Sequence, residues 1–193
     1  MIDQGNNAEV VERMKGAMAS AEALSIAFYT GNGYIPMNRV LRGDVAKLPL
    51  LENIIYSAAS GLNKLDKFEG TVYRTENLNV SMLKAIRETL KVGNIVLEEV
   101  FLSTTRLANL GFAKPSSGVN ISYAIQSKTG RSVVSLSAFQ SEDEVLFAPG
   151  TAFRVLSYSE EVTQKPNSFL GIPLSSVPVS IRLKVELEEV DPV

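Results

Sequence analysis

The stretch "VPVSIRLKVELEEV", residues 177–190, alternates apolar and polar side chains. In an extended chain Ile181, Leu183, Val185 and Leu187 share one face, and Arg182, Lys184, Glu186 and Glu188 the other. That period of two predicts a half-buried antiparallel strand. The period stays strand-like over the rest of the chain after Gly93, in residues 94–105, 119–127, 132–139, 144–150 and 151–162. Before Gly93 it lengthens. Residues 8–30, rich in alanine, carry apolar residues at helical spacing and predict an amphipathic helix, which Gly31, Asn32 and Gly33 break. Residues 34–43 predict a short helix closed by Gly43. Residues 48–65 predict another, with Pro49 near its start and Gly61 near its end. Residues 71–76 form a short β-prone run, and residues 81–93 return to a helix or helical turn with Ser81 as N-cap. Helices first and strands after them predict one α+β domain over residues 1–193, helical to about residue 69 and β-rich from about residue 70.

Composition narrows the chemistry by what it lacks. The chain has no cysteine and no histidine. That excludes disulfides, thiol nucleophiles, zinc held by either ligand and any histidine-dependent triad. Chemistry must run on carboxylates, hydroxyls, arginines, lysines and backbone amides. A net charge of −2 and a pI near 5.4 give no electrostatic reason to expect nucleic acid or an anionic membrane as partner. No apolar stretch approaches the roughly 18 residues needed to span a bilayer. Residues 1–16 lack the basic-then-apolar order of a secretory signal.

Three stretches could carry chemistry. "QSEDEVLFAPGTAF", residues 140–153, concentrates three carboxylates ahead of an apolar run. If this run enters a strand, Glu142 and Glu144 project together while Asp143 points away. Two carboxylates on one face can divide labour, one stabilising a developing cation and the other handling an acceptor. Taken alone, the run is better read as a solvated acidic turn. Arg74 ends an apolar β-prone run and could grip a phosphate with paired donors, though alone a surface ion pair explains it better. Ser103, Thr104 and Thr105 set three hydroxyls at a strand end. Such residues often satisfy turn backbone groups, but Ser103 could also orient a carboxylate.

Arg74, then "FLSTT" at 101–105, then Glu142 and Glu144 before the apolar run form an ordered set. That set resembles the arginine–serine–glutamate class of mono-ADP-ribosyltransferases, the class of many bacterial toxins. The likeness covers most of the chain. Residues 28–43 resemble the family's tyrosine-rich helix-loop-helix, and residues 121–157 its central strands. The resemblance implies N-terminal helices followed by a mixed, mainly antiparallel two-sheet β core, with NAD+ as co-substrate and no metal. Glu144 resembles the glutamate that holds a ribose hydroxyl and stabilises positive charge developing on the ribose. Glu142 resembles the upstream glutamate that receives the acceptor. Relatives that modify asparagine, and many that modify glutamine, hold Gln there, so Glu favours arginine, which arrives as a cation. By the same resemblance Arg74 contacts the NAD+ phosphates and Ser103 positions Glu144, with Thr104 and Thr105 supporting the strand. Tyr29, Asn38, Thr104 and Phe112 are also expected at NAD+, Phe112 on nicotinamide unless it is an ordinary core residue. Phe139 resembles the aromatic of the substrate-recognition loop. Tyr34, Arg39 and Arg42 are expected to be structural. Thr75 and Pro115 stand where some relatives place further arginines.

The implied activity is transfer of ADP-ribose to an arginine of a target protein. It would be performed by a toxin or effector secreted by a bacterium and acting in the cytoplasm of the target cell. An NAD+ glycohydrolase on the same scaffold is one alternative. A non-catalytic NAD- or partner-binding module is another, against which the intact Glu142 and Glu144 argue. The expected partner is a protein with an accessible arginine, and an immunity protein stays open as a second. Nucleic acid and membrane insertion are not expected.

Overall fold

The computed structural model describes residues 18–111, 118–169 and 172–191. Helix α1 (Ser20–Phe28) buries Ala23 and Ile26, α2 (Tyr34–Leu41) buries Met37 and Val40, and α3 (Pro49–Leu62) buries Ile55, Ala58 and Leu62. In each, spacings of three and four turn one stripe inward. Pro49 opens α3, where its missing N–H costs nothing. Gly61 lets α1 and α3 approach closely, since a Cβ there would lie 2.9 Å from Glu22 Cβ. The helix predicted over 8–30 begins at Ser20, and residues 1–17 lie outside the described chain. The break at 31–33 falls in a kinked segment, Tyr29–Gly33, in which Gly31 leaves helical backbone at φ −85° and ψ −117°. Helix α2 resumes directly after it.

Strand β1 (Gly70–Leu78) opens the sheet. A 3-10 turn (Val80–Met82) and α4 (Leu83–Thr89) follow, and their cap is Asn79 rather than the expected Ser81. The Asn79 side chain accepts the Ser81 N–H at 3.1 Å, which places Ser81 inside the turn. Residues 94–105 make two strands where one was predicted, β2 (Ile95–Glu98) and β3 (Leu102–Thr105), because the bend between them buries Val100 and Phe101. Then come α5 (Ala108–Gly111), β4 (Gly118–Ser127), β5 (Arg131–Ser132), a 3-10 turn (Gln140–Glu142) and β6 (Glu144–Phe147). Two long strands finish the chain, β7 (Thr151–Phe169) and β8 (Ile172–Val190). The strand predicted over 132–139 stops at Ser132. Val133 and Leu136 are both buried three residues apart, a spacing that suits a turn and not a strand, and Leu136 N–H closes that turn on Val133 C=O at 2.9 Å.

The strands lie in the order β2-β7-β8-β4-β1-β3-β6-β5. Neighbours are antiparallel except β4 and β8, so the alternating C-terminal strand is antiparallel to β7 and parallel to β4. Strands β1 and β3 meet at one pair, Tyr73 with Thr105. This thin link divides the sheet into a five-stranded and a three-stranded half. One core cluster joins Val72, Ile121, Phe153 and the inner face of β8. The other joins the helices to Phe101, Val133, Leu136 and Leu146. Along β6, Val145 and Phe147 face the first cluster and Leu146 the second, so Glu144 begins a strand clamped between two cores. Among the described residues no helix is long and apolar enough to cross a membrane.

Glu22 ties α1 to α3. It accepts from Lys64 Nζ at 2.7 Å, Ser60 Oγ at 2.6 Å and Ala19 N at 2.9 Å. These donors, Lys64 foremost, lower its pKa to about 2. A depressed folded-state value gives stability that is complete above the unfolded pKa of about 4.3 and lost as pH falls toward about 2. Urea unfolding followed between pH 5 and about pH 2 should therefore show a steeper acid loss in the wild type than in Glu22→Gln. Equal acid limbs would remove Glu22 from this role.

Candidate active site

Ser103 and Thr105 share a face of β3, and Thr105 lies opposite Glu144 of β6. Ser103 is thus diagonal to Glu144, within reach across the ladder. Its hydroxyl donates to Glu144 Oε1 at 2.6 Å. Thr104, on the opposite face and buried, donates to the Val145 carbonyl at 2.7 Å and holds β3 to β6. On β1, Arg74 follows the fully buried Val72 on the same face. Its Nη1 donates to the Ser103 carbonyl at 2.7 Å and its Nε to Glu76 Oε1 at 2.8 Å. The ion pair expected of a lone surface arginine exists, but Arg74 also reaches the strand that carries Ser103.

Glu142 and Glu144 do not share a strand. Glu142 ends the 3-10 turn, Asp143 is left-handed at φ 49° and ψ 51°, and β6 starts only at Glu144. The left-handed region costs most L-residues about 1–2 kcal/mol and is visited routinely by few besides Asp and Asn. Reversal at Asp143, not strand alternation, puts both glutamates on one cleft. Asp143 turns away to an ion pair with Arg106.

That cleft, about 410 Å³, is lined by Glu142, Glu144, Ser103, Arg74, Tyr29, Asn38 and Phe139. A second hollow of about 300 Å³ shares Arg74, Ser103 and Glu142 and adds Thr104 and Thr105. Phe112 lies outside the described residues. Tyr29 is buried, and its hydroxyl donates to the Phe101 carbonyl at 3.0 Å. Asn38 Nδ2 donates to the same carbonyl at 3.2 Å and to Tyr29 Oη at 3.3 Å. Because a carbonyl can only accept, the amide nitrogen must face Phe101. Asn38 Oδ1 is then left buried without a hydrogen-bond partner. Burial pushes the Tyr29 hydroxyl up to about 12, so it stays a donor.

Sequence reasoning missed several neighbours. Tyr34, expected to be structural, lines the cleft with its ring edge-on to Tyr29 at 6.4 Å. Thr30, Gly31 and Asn32 of the kinked segment line it as well. The Ser137 hydroxyl acts on Glu144, yet it sits in the turn that a period-two pattern mistook for a strand. Among the described residues no group of three or more acidic side chains is arranged to hold a metal ion.

Glu144 is 4% exposed, and burial raises its pKa above the ordinary carboxylate range. The Ser103 and Ser137 hydroxyls and the Arg74 charge oppose that rise, while the Glu142 charge adds to it. Opposite shifts are therefore expected from two substitutions. Ser103→Ala should raise the Glu144 pKa by removing a donor to the ionised form, and Glu142→Gln should lower it by removing a like charge. Carboxyl-carbon NMR titration of Glu144 reads both. Shifts of the same sign in the two variants would contradict this assignment of causes.

A family model described as ADP-ribosyltransferase exoenzyme matches residues 5–172. The chain is 31% identical over 134 residues to NAD(+)–protein-arginine ADP-ribosyltransferase Tre1 of Serratia proteamaculans, an overlap covering 69% of this chain and 28% of that protein. The chain thus spans little more than a quarter of that relative's length. Its fold is similar to Vis toxin, an ADP-ribosyltransferase from Vibrio splendidus, with TM-score 0.63, 21% identity and coverage of 96% of this chain and 83% of that one. It is also similar to the type III effector XopAI from Xanthomonas axonopodis pv. citri, with TM-score 0.68, 19% identity and coverage of 95% and 72%. With the family model spanning both the helices and most of the sheet, the chain belongs to the ADP-ribosyltransferase exoenzyme family.

Proposed function

We propose that this chain is the catalytic domain of a bacterial toxin or effector that transfers ADP-ribose from NAD+ to an arginine of a target protein. One observation carries the reading: a buried carboxylate, Glu144, and an exposed one, Glu142, face the same cleft. The residues present suit a dinucleotide. Both hollows lie in the size range of ligand clefts, roughly 300–1,000 Å³. Asn38 Oδ1 supplies a buried acceptor awaiting a donor.

In this reading Arg74 contacts the phosphates through the remaining Nη hydrogens, since Glu76 already holds Nε and the Ser103 carbonyl takes one donor of Nη1. Tyr29 and Asn38 line the far wall. Glu144, oriented by Ser103, receives a ribose hydroxyl and faces the positive charge that grows on the ribose as its bond to nicotinamide breaks. Glu142 receives the acceptor guanidinium and takes its proton as nitrogen bonds to the ribose and nicotinamide leaves. Phe139 is 54% exposed beside Glu142 and is assigned as the anchor for the target protein.

Nicotinamide release and labelling of agmatine, a small guanidine, test the reading together. Glu144→Gln should depress both by about 10²–10³, the typical loss of one such electrostatic group. Glu142→Gln should abolish labelling while hydrolysis of NAD+ stays measurable, because a group acting on one acceptor lowers only that acceptor's transition state. Equal loss of both reactions in Glu142→Gln would overturn the acceptor role. A wild type that releases nicotinamide but labels neither agmatine nor lysate proteins would be a glycohydrolase instead. For Arg74→Ala, calorimetric titration should show NAD+ affinity weakened by about 1.5–3 kcal/mol, the range of a charged hydrogen bond. Unchanged affinity would return Arg74 to a purely structural part.

A further inference from the structure

We infer that Arg106 sets the balance between arginine transfer and hydrolysis by latching the turn that carries Glu142. The inference rests on the assignment of Glu142 to the acceptor. Three contacts run from the end of β3 to this turn. Thr105 Oγ1 donates to the Glu142 carbonyl at 2.5 Å, Arg106 N–H donates to the Asp143 carbonyl at 3.1 Å, and the Arg106 guanidinium pairs with the Asp143 carboxylate. The guanidinium is itself braced, lying 5.6 Å from the centre of the Phe68 ring. Phe68 is fixed by backbone bonds, its N–H to the Gly130 carbonyl at 2.7 Å and its carbonyl to Ser127 Oγ at 2.8 Å. The latch thus connects the end of β3 and the segment carrying Phe68 to one exposed turn.

The latch acts on Glu142 and not on Glu144. Glu144 begins β6 and is held by the ladder to β3 and by Ser103. Glu142 is exposed and lies outside any strand. Its direction depends on Asp143, the only non-glycine residue with positive φ among those described. A side chain at the rim of a cleft, carried on a left-handed hinge, keeps its aim only if that hinge is held. The pair is too exposed, at 40% and 23%, to matter much for global stability, so its effect should appear in the partition of the reaction.

The experiment compares agmatine labelling with nicotinamide release in Arg106→Ala, Asp143→Asn, Glu142→Gln and the double variant Arg106→Ala/Glu142→Gln, with thermal unfolding as a fold control. Asn keeps the left-handed backbone accessible while removing the charge. Arg106→Ala and Asp143→Asn should each lower kcat/KM for labelling by about tenfold, since misplacement by about 1 Å costs up to ~10²-fold. Nicotinamide release measured without agmatine, which reports hydrolysis alone, should fall by no more than about twofold, because the ribose contacts remain. The double variant should hydrolyse NAD+ no more slowly than Glu142→Gln alone, as residues acting through one group are not additive. Labelling that survives in both single latch variants while Glu142→Gln loses it overturns the latch and leaves the acceptor role standing. Labelling that survives in Glu142→Gln sinks the acceptor role and the latch with it. Equal loss of both reactions in a folded Arg106→Ala also overturns it. If Arg106→Ala fails to fold, Asp143→Asn decides.

Discussion

The structure turns on the seam between β1 and β3. Two strands that join at the single pair Tyr73 with Thr105 leave backbone groups beyond that pair without a ladder partner. Unmade hydrogen bonds to buried backbone are costly. Arg74 supplies the missing donor, reaching across to the Ser103 carbonyl. The same separation of strands opens the smaller hollow, lined by Tyr73, Arg74 and Thr75 on one side and Ser103, Thr104 and Thr105 on the other. A continuous ladder here would close the space a ligand needs. The guanidinium thus bridges the two halves of the sheet and lines the gap between them.

Much of the site was legible because its residues sit in elements with strong local signals. β3 and β6 are apolar runs, and their register follows from hydrogen-bonding rules once they pair. That register alone puts Ser103 diagonal to Glu144. What stayed illegible were the features that local pattern does not encode. The sequence "SED" taken alone reads as an acidic turn, which Glu142 does occupy, but nothing in it announces that Asp143 is left-handed, a conformation accompanied by tertiary contacts to Thr105 and Arg106. Val133 and Leu136 mimic strand composition but fill the helical core from a turn. Asn79 takes the cap from Ser81 since either side chain could accept the same kind of N–H, and position decides. Arg106 carried no sequence signal beyond following a strand end. Its part is visible only once Asp143 and Phe68 surround it.

The two glutamates show how burial divides work between identical groups. At Glu144 desolvation penalises the charged form and raises its pKa, while the Ser103 and Ser137 hydroxyls and the Arg74 charge oppose that rise. A charge kept in a dry, preorganised setting acts strongly on charge that appears beside it, since little water screens it. In the proposed reaction Glu142 would meet an acceptor that arrives from solvent as a cation, and an exposed carboxylate can receive it without being stripped of water first. Exchanging these settings would weaken both. In the proposed reaction a solvated Glu144 would be screened from the ribose, and a buried Glu142 would be harder for a guanidinium to reach from solvent. The charge on each also works against the other, for Glu142 is among the causes that raise the Glu144 pKa. In the proposed reaction a guanidinium arriving at Glu142 would offset that repulsion. Binding of the acceptor would then favour the ionised form of Glu144, coupling the two halves of the proposed reaction through Coulomb's law across one cleft.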